Sequence, residues 1–274
     1  MIAVQALAHC PPETAANLRY VLCDVDDTLT LHGRLHAATY QALEALSEAG
    51  LIVIPITGGP AGWCDLMARI WPVDGVIGEN GALHFYIDRQ AGQLVRHFWA
   101  PAAQRKRDLD RLQQVARVIV EQIPGCRVSG DQGYRETDLA IDYAQDVTPL
   151  PRADVQRIVA LFEQAGAQAR VSSIHVNGWF GEYDKLKMAL RVLEQRYEVD
   201  SVQAREQVLF VGDAPNDAPM FDFFPLTVGV NNIRPFLDRL PTPPQWITAG
   251  DGGLGFAELA RFLIAARGHR SSAD

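Results

Sequence analysis

The chain has 274 residues, of which 48% are hydrophobic and 21% are charged, and its formal net charge at pH 7 is −8. This length allows one large domain or two modest ones, and the composition is typical of a soluble globular protein. The acidic charge argues against a nucleic-acid-binding face and against an anionic membrane surface as partner. It does not exclude a phosphorylated substrate, because a bound cation and one lysine can reverse the field locally.

The cysteines and the N-terminus favour a cytoplasmic location. The four cysteines are scattered, without the close spacing of a metal-binding pair. Residues 1–18 lack a basic start and a long apolar core, so we expect no signal peptide. No apolar run approaches the length of a membrane span. We therefore expect a reducing, cytoplasmic setting and no membrane partner.

The first part of the chain alternates apolar strands with helices. Three short apolar runs are typical of buried strands: residues 20–23, 51–56 and 76–78. Apolar residues at helical spacing over 43–49 predict a helix between the first two runs, and Pro60 opens another helix that continues to about residue 71. This β-α-β-α-β order predicts a parallel sheet.

The pattern changes after residue 82. The segments that follow predict a hairpin over 83–87 and 94–99, a helix over 101–122, a strand over 137–143, a helix over 153–165 and a strand over 169–176. We interpret residues 83–181 as an insert with its own small sheet.

Regular alternation resumes at Tyr183. The segments predicted there are a helix over 184–196, an apolar strand over 207–211, strands over 226–230 and 245–248, and a closing helix over 256–266. We therefore predict an α/β fold in which residues 1–82 and 182–274 form a doubly wound parallel-sheet core, with an α/β domain inserted over 83–181.

Four of the apolar strands end in polar residues. These residues are Asp24 and Asp26, Thr57, Glu79 and Asn80, and Asp213, Asn216 and Asp217. In an open parallel sheet, ligands bind beyond the carboxyl ends of the strands. Asp24 and Asp26 point the same way from an extended chain, and crowded carboxylates repel each other unless a cation neutralises them. The pattern predicts a Mg²⁺ site, although Asp26 to Thr28 alone could simply turn the chain.

These residues resemble the four motifs of the haloacid dehalogenase (HAD) superfamily of phosphohydrolases. The matching segments are Asp24-Val25-Asp26-Asp27-Thr28-Leu29-Thr30, Thr57-Gly58, Lys185 and Gly212-Asp213 followed by Asn216-Asp217. The insert resembles the type IIB (C2) cap of Cof-like, sucrose-phosphatase-like and mannosyl-phosphoglycerate-phosphatase-like members. Residues 79–82 resemble the junction before that cap.

The resemblance implies a role for each residue. Asp24 would be the nucleophile and Asp26 the acid/base, whereas Thr57 and Lys185 would bind and neutralise the phosphoryl group. Mg²⁺ would be held by the Asp24 carboxylate, the Asp26 backbone carbonyl and Asp213, with Asp217 completing the set. The remaining contacts around phosphate and metal would come from Thr28, Gly58, Asn80 and Asn216.

Four positions carry a second interpretation or depart from the family pattern. Lys185 taken alone could be a surface lysine, and Thr57 could cap a helix. Gly59 stands where many relatives have arginine, so any substrate contact made by that arginine is absent or is supplied elsewhere. Asp27, where many relatives have glycine, adds a carboxylate near the site.

Substrate choice should come from the insert. The candidate substrate-binding residues are Arg135, Glu136, Asp138, Ser172, Ser173, His175, Asn177 and Trp179. The sequence favours a surface ion pair for Arg135 with Glu136 over a ligand role. For His175, a structural role and a substrate contact both stay open.

The segment 250–255 fits GxGxxG, the pattern of a dinucleotide site. Such a site needs a following strand, and an acid about twenty residues further on within a βαβ unit, and the given sequence ends before such a unit is complete. We interpret this segment as a tight turn into the last helix.

We therefore expect a Mg²⁺-dependent phosphatase that hydrolyses a small phosphomonoester, such as a sugar phosphate, through an aspartyl-phosphate. A phosphomutase with the same aspartate pair and a non-catalytic phosphometabolite-binding protein are the alternatives. The expected partner is a small phosphorylated metabolite, and the choice between a monomer and a dimer stays open.

Overall fold

A nine-stranded sheet lies at the centre of the computed structural model, which describes the backbone of residues 4–271 and the side chains of residues 4–267. From edge to edge its strands are β1 (Gln5–Ala6), β15 (Trp246–Ile247), β14 (Leu226–Gly229), β13 (Val208–Gly212), β2 (Tyr20–Asp24), β5 (Ile52–Ile56), β6 (Val76–Gly78), β7 (Leu83–Asp88) and β8 (Gln93–Phe98). Neighbours from β1 to β6 are parallel, and β7 and β8 continue the sheet as an antiparallel hairpin. The predicted parallel core sheet is confirmed.

Helices cover both faces of this sheet. One face carries α1 (Ala37–Glu48), α2 (Ala61–Ile70) and α8 (Gly252–Ser271), and the other carries α5 (Lys185–Tyr197), α6 (Ser201–Gln207) and α7 (Ala218–Phe223). Successive side chains of a strand point to opposite faces, so Val21 and Cys23 join the first apolar cluster while Tyr20 and Leu22 join the second. Burial on both faces explains why β2 is apolar at consecutive positions.

A second sheet lies within the insert. Its four antiparallel strands are β11 (Gln168–Val171), β12 (His175–Trp179), β10 (Leu139–Asp142) and β9 (Arg127–Val128), with α3 (Ala102–Gln122) and α4 (Arg152–Gln164) packed against it. Residues 169–176, predicted as one strand, are instead parts of two. The chain turns between them because the Ser172 hydroxyl bonds the backbone N–H and carbonyl of His175.

The hairpin of β7 and β8 belongs to the large sheet. The sequence analysis assigned it to the insert, with a boundary at residue 82, and that assignment is wrong for these two strands. Strand β6 pairs with β7, with Val76 opposite Phe85 and Gly78 opposite Leu83. The side chains of Leu83 and Phe85 are fully buried in the core cluster of the large sheet. The small sheet and its helices begin only after β8, at α3.

The remaining short elements connect these layers. Strands β3 (Thr30–Leu31) and β4 (Arg34–Leu35) form a small hairpin after the end of β2. Helix α6, which the sequence analysis did not predict, begins with a capping box in which Asp200 and Gln203 exchange hydrogen bonds with each other's backbone N–H. Within residues 4–271, no helix combines the length and the apolar character that a membrane crossing requires.

One buried histidine makes stability depend on pH. His84, on β7, is 4% exposed, and its Nε2 has no hydrogen-bond partner among the described residues. Burial, assisted by the positive charge of Arg196, lowers the pKa of His84 to about 3. The native state therefore keeps this ring neutral, whereas the unfolded chain binds a proton below its ordinary pKa.

Because the folded-state pKa is depressed, the stability that neutral His84 provides is present near pH 7 and is lost as the pH falls toward 3. Between pH 7 and pH 5, urea unfolding should show wild type losing about 2 kcal/mol more than His84→Phe, which cannot titrate. The control is His9→Phe, which changes an exposed ring in another part of the chain and should lose stability as wild type does. Equal losses in wild type and His84→Phe would contradict the prediction.

Candidate active site

The carboxyl ends of β2 and β13 bring together one lysine and several acids. Lys185 Nζ lies 2.5 Å from Asp24 Oδ1 and 2.7 Å from Asp217 Oδ1, and all three side chains are buried. Lys185 is the first residue of α5, whose N-cap Asp184 accepts a hydrogen bond from the Lys187 backbone N–H. The two carboxylates raise the pKa of Lys185 against the effect of its burial, so it carries a full positive charge.

Asp213 joins this cluster from the end of β13. Asp24, Asp213 and Asp217 each offer a carboxylate oxygen, and these oxygens all lie within 4.8 Å of one another. Burial is the main reason why the pKa of Asp24 rises to about 8 and that of Asp213 to about 9, and the neighbouring carboxylates add to it, whereas Lys185 opposes it. One ammonium does not balance three buried carboxylates, so the cluster suits a cation with oxygen ligands.

Asp26 lies beside this cluster and outside its set of carboxylates. Its side chain is exposed to solvent, yet the protein surrounds it closely enough for desolvation to raise its pKa, against the charge of Lys185. The Thr57 hydroxyl donates to Asp26 Oδ2 at 3.3 Å and accepts the Gly59 N–H at 2.8 Å. Thr57 does not cap α2, because that helix has Pro60 at its N-cap position and no side-chain cap. The structure thus brings together Asp24, Asp26, Thr57 and Lys185.

Two side chains orient Asp213. The Thr28 hydroxyl donates to Asp213 Oδ1 at 3.3 Å, and Asn232 Nδ2 donates to Asp213 Oδ2 at 3.2 Å. Asn232 also donates to the Asp27 carbonyl at 2.9 Å and accepts the Gly252 N–H at 2.8 Å. Sequence reasoning missed Asn232, although a polar residue just after β14, at the same sheet edge, was the available signal. Asn216, predicted beside this set, is half-buried on the turn before Asp217.

The Gly252 contact also explains the GxGxxG segment. Helix α8 begins at Gly252, and a Cβ at Gly253 would lie 2.0 Å from Thr39 Oγ1 and 2.6 Å from the Leu29 carbonyl. The segment is thus pressed against the core, which supports its interpretation as a tight turn.

Glu79 joins the core to the insert. Its carboxylate is fully buried and accepts the backbone N–H groups of Ala61 and Glu136 at 2.9 Å, Thr137 at 2.7 Å and Asp138 at 3.3 Å. The Thr137 hydroxyl donates to it as well. Burial raises the pKa of Glu79 to about 7, the charge of Asp138 adds to the rise, and these hydrogen bonds oppose it.

Arg135 lies at the same junction, and its predicted pairing with Glu136 at the surface is wrong. Its buried guanidinium bonds both oxygens of Asp131, both oxygens of Asp138 and the Gly58 carbonyl. Glu136 instead pairs with Arg96 at the surface. Arg135 pairs with these acids and not with Glu136 for a local reason. On the turn leading into β10, its guanidinium faces Asp131, four residues earlier, and Asp138, three residues later.

Asp138 extends this junction to two amide side chains. Its Oδ2 accepts from Asn177 Nδ2 at 3.1 Å and from Asn80 Nδ2 at 3.4 Å. Asn80 has a left-handed backbone with φ 58°, a conformation that asparagine tolerates better than most residues. A Cβ built on Gly58 would lie 3.1 Å from Asn80 Oδ1, so these residues border the Thr57-Gly58 loop.

The other predicted substrate contacts form bonds outside this junction. His175 Nε2 lies 3.1 Å from the Ser129 hydroxyl, and Ser172 bonds the turn before β12. Trp179 donates to the Tyr183 carbonyl at 3.2 Å and stacks on the Tyr183 ring. Of the eight candidates named for the insert, Arg135, Asp138 and Asn177 form side-chain hydrogen bonds at this junction, and Glu136 reaches it through its backbone N–H.

Solved structures with the same fold include enzymes of the HAD superfamily. A trehalose-6-phosphate phosphatase C-terminal domain from Candida albicans is 14% identical, covers 96% of this chain and 98% of its own, and has a TM-score of 0.70. A putative HAD/COF-like hydrolase from Plasmodium vivax is 16% identical, with coverages of 93% and 99% and a TM-score of 0.66. A phosphatase of the superfamily from Bacteroides thetaiotaomicron is 19% identical, with coverages of 94% and 99% and a TM-score of 0.59.

No protein-family model matches the chain, and no curated protein matches it significantly. At the identities above, the likeness shows the fold alone. The chain therefore has the HAD-like α/β fold, as the sequence resemblance implied.

Asn232→Ala should destabilise the protein, because it removes the bonds that join Asp27, Asp213 and Gly252. We expect the free energy of unfolding to fall by about 1–3 kcal/mol in urea titrations. The matched control is Asn231→Ala, which removes only exposed bonds to Asp251 and Arg234 and should cost about 0.5 kcal/mol or less. Equal effects of the two substitutions would show that Asn232 has no bracing role.

Proposed function

We propose that the chain is a Mg²⁺-dependent phosphatase that hydrolyses a small phosphomonoester through an aspartyl-phosphate. One observation carries the proposal: the Lys185 ammonium lies between Asp24 and Asp217 in a buried cluster with Asp213. A surface lysine and structural acids would not be buried together at the carboxyl edge of a parallel sheet. The phosphatases among the structures with this fold support the reaction class.

The donor set fits a magnesium ion. The residues that would hold it are Asp24, Asp213 and Asp217, together with the Asp26 backbone carbonyl that the family resemblance implies. All are oxygen donors, and burial, with the neighbouring carboxylates adding to it, raises the pKa values of Asp24 and Asp213, so a bound cation would stabilise their ionised forms. When bound, the ion supplies charge neutralisation for the cluster and for the phosphoryl group.

The side chains divide the reaction into two halves. In the first, an Asp24 carboxylate oxygen forms a bond to phosphorus while the bond from phosphorus to the leaving oxygen breaks, and the Asp26 carboxyl gives its proton to that oxygen. In the second, a water oxygen attacks the same phosphorus, the bond to Asp24 breaks, and the Asp26 carboxylate takes a proton from the water. Lys185 and the Thr57 hydroxyl stabilise the negative charge on the transferring group.

We infer the substrate class from the insert and from one solved structure with the same fold. We propose that the insert, corrected to begin after β8, caps the site, and that the substrate is a small sugar phosphate or a similar phosphorylated polyol in the cytoplasm. One solved structure with this fold is a trehalose-6-phosphate phosphatase domain, which supports a sugar phosphate. The buried amides of Asn80 and Asn177 provide polar groups near the Thr57-Gly58 loop.

The purified protein with Mg²⁺ should release inorganic phosphate from members of a panel of sugar phosphates. Asp24→Asn should lower kcat at least about a thousandfold, because an amide oxygen does not replace the nucleophile. Asp154→Asn, which changes a half-buried carboxylate paired with Arg157 on α4, is the control and should keep wild-type turnover. Phosphate relocation on a hexose phosphate without free phosphate would identify a mutase instead, and binding without turnover would identify a non-catalytic protein.

Mg²⁺ should raise the Tm of the wild-type protein, since it binds a cluster that forms only on folding. Binding at a hundred times Kd corresponds to about 2.7 kcal/mol. Asp213→Asn should lose this increase while remaining at least as stable as wild type without metal, because one buried repulsion is removed. Asp154→Asn should keep the increase. A Tm of Asp213→Asn that still rises with Mg²⁺ as in wild type would exclude Asp213 as a ligand.

A further inference from the structure

Arg135 carries more hydrogen bonds to the core and the insert than an ion pair requires. Its side chain is 2% exposed, and it donates to Asp131 at 2.9 and 3.0 Å and to Asp138 at 2.9 and 3.1 Å. Its Nη1 also donates to the Gly58 carbonyl at 2.9 Å. This last bond crosses from the insert to the loop that follows β5.

The charges around Arg135 exclude a free phosphate-binding group. The buried carboxylate of Asp138 and the half-buried one of Asp131 flank one guanidinium, so the local charge is negative overall and the Nε and Nη1 donors are occupied. An anionic phosphoryl group is not attracted to such a set. The guanidinium is suited to fix the orientation of neighbouring groups, because its donors have a rigid, planar arrangement.

Arg135 fixes the orientation of the Gly58–Gly59 peptide group. Since a peptide is planar, fixing the Gly58 carbonyl also fixes the direction of the Gly59 N–H on the opposite side. That N–H donates to Thr57 Oγ1 at 2.8 Å. While it accepts this bond, the Thr57 hydroxyl donates to Asp26 Oδ2, and the two oxygens are 3.3 Å apart.

The two glycines make an external support useful. Glycine restricts its backbone less than any other residue, so a Gly-Gly peptide does not hold one orientation by itself. Side chains do not fit at these positions without displacement, because a Cβ on Gly58 would lie 3.1 Å from Asn80 Oδ1 and one on Gly59 would lie 3.1 Å from Thr57 Oγ1. The Thr57-Gly58 loop thus has little free space around it, although its two glycines leave its backbone conformation weakly restricted.

We propose that Arg135 is a positioning residue of the insert, which fixes the Gly58–Gly59 peptide and thereby aims the Thr57 hydroxyl at Asp26. The inference rests on the proposed function for its effect on turnover, and on the hydrogen bonds alone for its effect on the loop. The site around Asp26 is then complete only when the insert is docked against the core.

Amide hydrogen exchange of residues 57–59 tests the effect on the loop without any substrate. Arg135→Met should speed exchange of the Gly59 N–H at least about tenfold, because the peptide that carries it loses its anchor. The double variant Arg135→Met/Asp138→Asn, compared with Asp138→Asn alone, avoids an unpaired buried carboxylate if the single variant does not fold. Arg127→Met, which removes ion pairs with the buried Asp142 and the exposed Asp146 inside the insert, should leave the loop unchanged. Unchanged exchange in both Arg135 variants would overturn the proposal.

A double-mutant cycle between Arg135→Met and Thr57→Val tests the path to Asp26. The probe is para-nitrophenyl phosphate with Mg²⁺, and kcat is measured in the Asp138→Asn background. If Arg135 acts through Thr57, each change lowers kcat about tenfold and the combination lowers it little further, with KM changed less than about threefold. Losses that multiply to about a hundredfold would overturn the proposed path. Absence of hydrolysis by wild type across the whole panel would reject the proposed function, and the exchange experiment would then decide the positioning role.

Discussion

The ion pairs of Lys185 with Asp24 and Asp217 are the interaction on which the rest of the site depends. One ammonium is buried among carboxylates that come from two neighbouring strand ends and the turn after β13. Buried charges are costly unless they are paired, so this lysine fixes where the acids can lie. The parallel order of β13, β2 and β5 then determines which loops surround the cluster. The fold thus places these residues at the carboxyl edge of the sheet, and the balance between one ammonium and several carboxylates determines what can bind there.

The core could be predicted because its signals are local. Strands that are buried on both faces, such as β2 and β13, are continuous apolar runs, and the acids come directly after them. The hairpin of β7 and β8 was assigned to the wrong sheet, since a hairpin pattern indicates its own turn but not the third strand that it joins. The break between β11 and β12 was missed because Ser172 makes the turn with no glycine or proline.

The candidate site likewise contains residues that local motifs predict and residues that they do not. Asp24, Asp26, Lys185 and Asp213 lie in recognisable short motifs, and the structure brings them together. Asn232 was missed because its partners are distant in sequence. Arg135 and Glu136 are sequence neighbours whose opposite charges suggest a pair, but the backbone directs one into the interior and the other to the surface. Such contacts depend on how the insert docks, which no local pattern encodes.

Glu79 has a consequence for motion of the insert. Its carboxylate binds N–H groups on both sides of the boundary, one from Ala61 and three from residues 136–138, besides the Thr137 hydroxyl. A rigid withdrawal of the insert would break all the bonds from residues 136–138 at once and leave the Glu79 carboxylate with Ala61 as its one remaining donor among these residues. A rotation about this carboxylate keeps them. The motion that keeps the most hydrogen bonds while admitting a substrate is therefore a rotation of the insert about a point near residue 79. In such a rotation the largest displacement is at the far end of the small sheet.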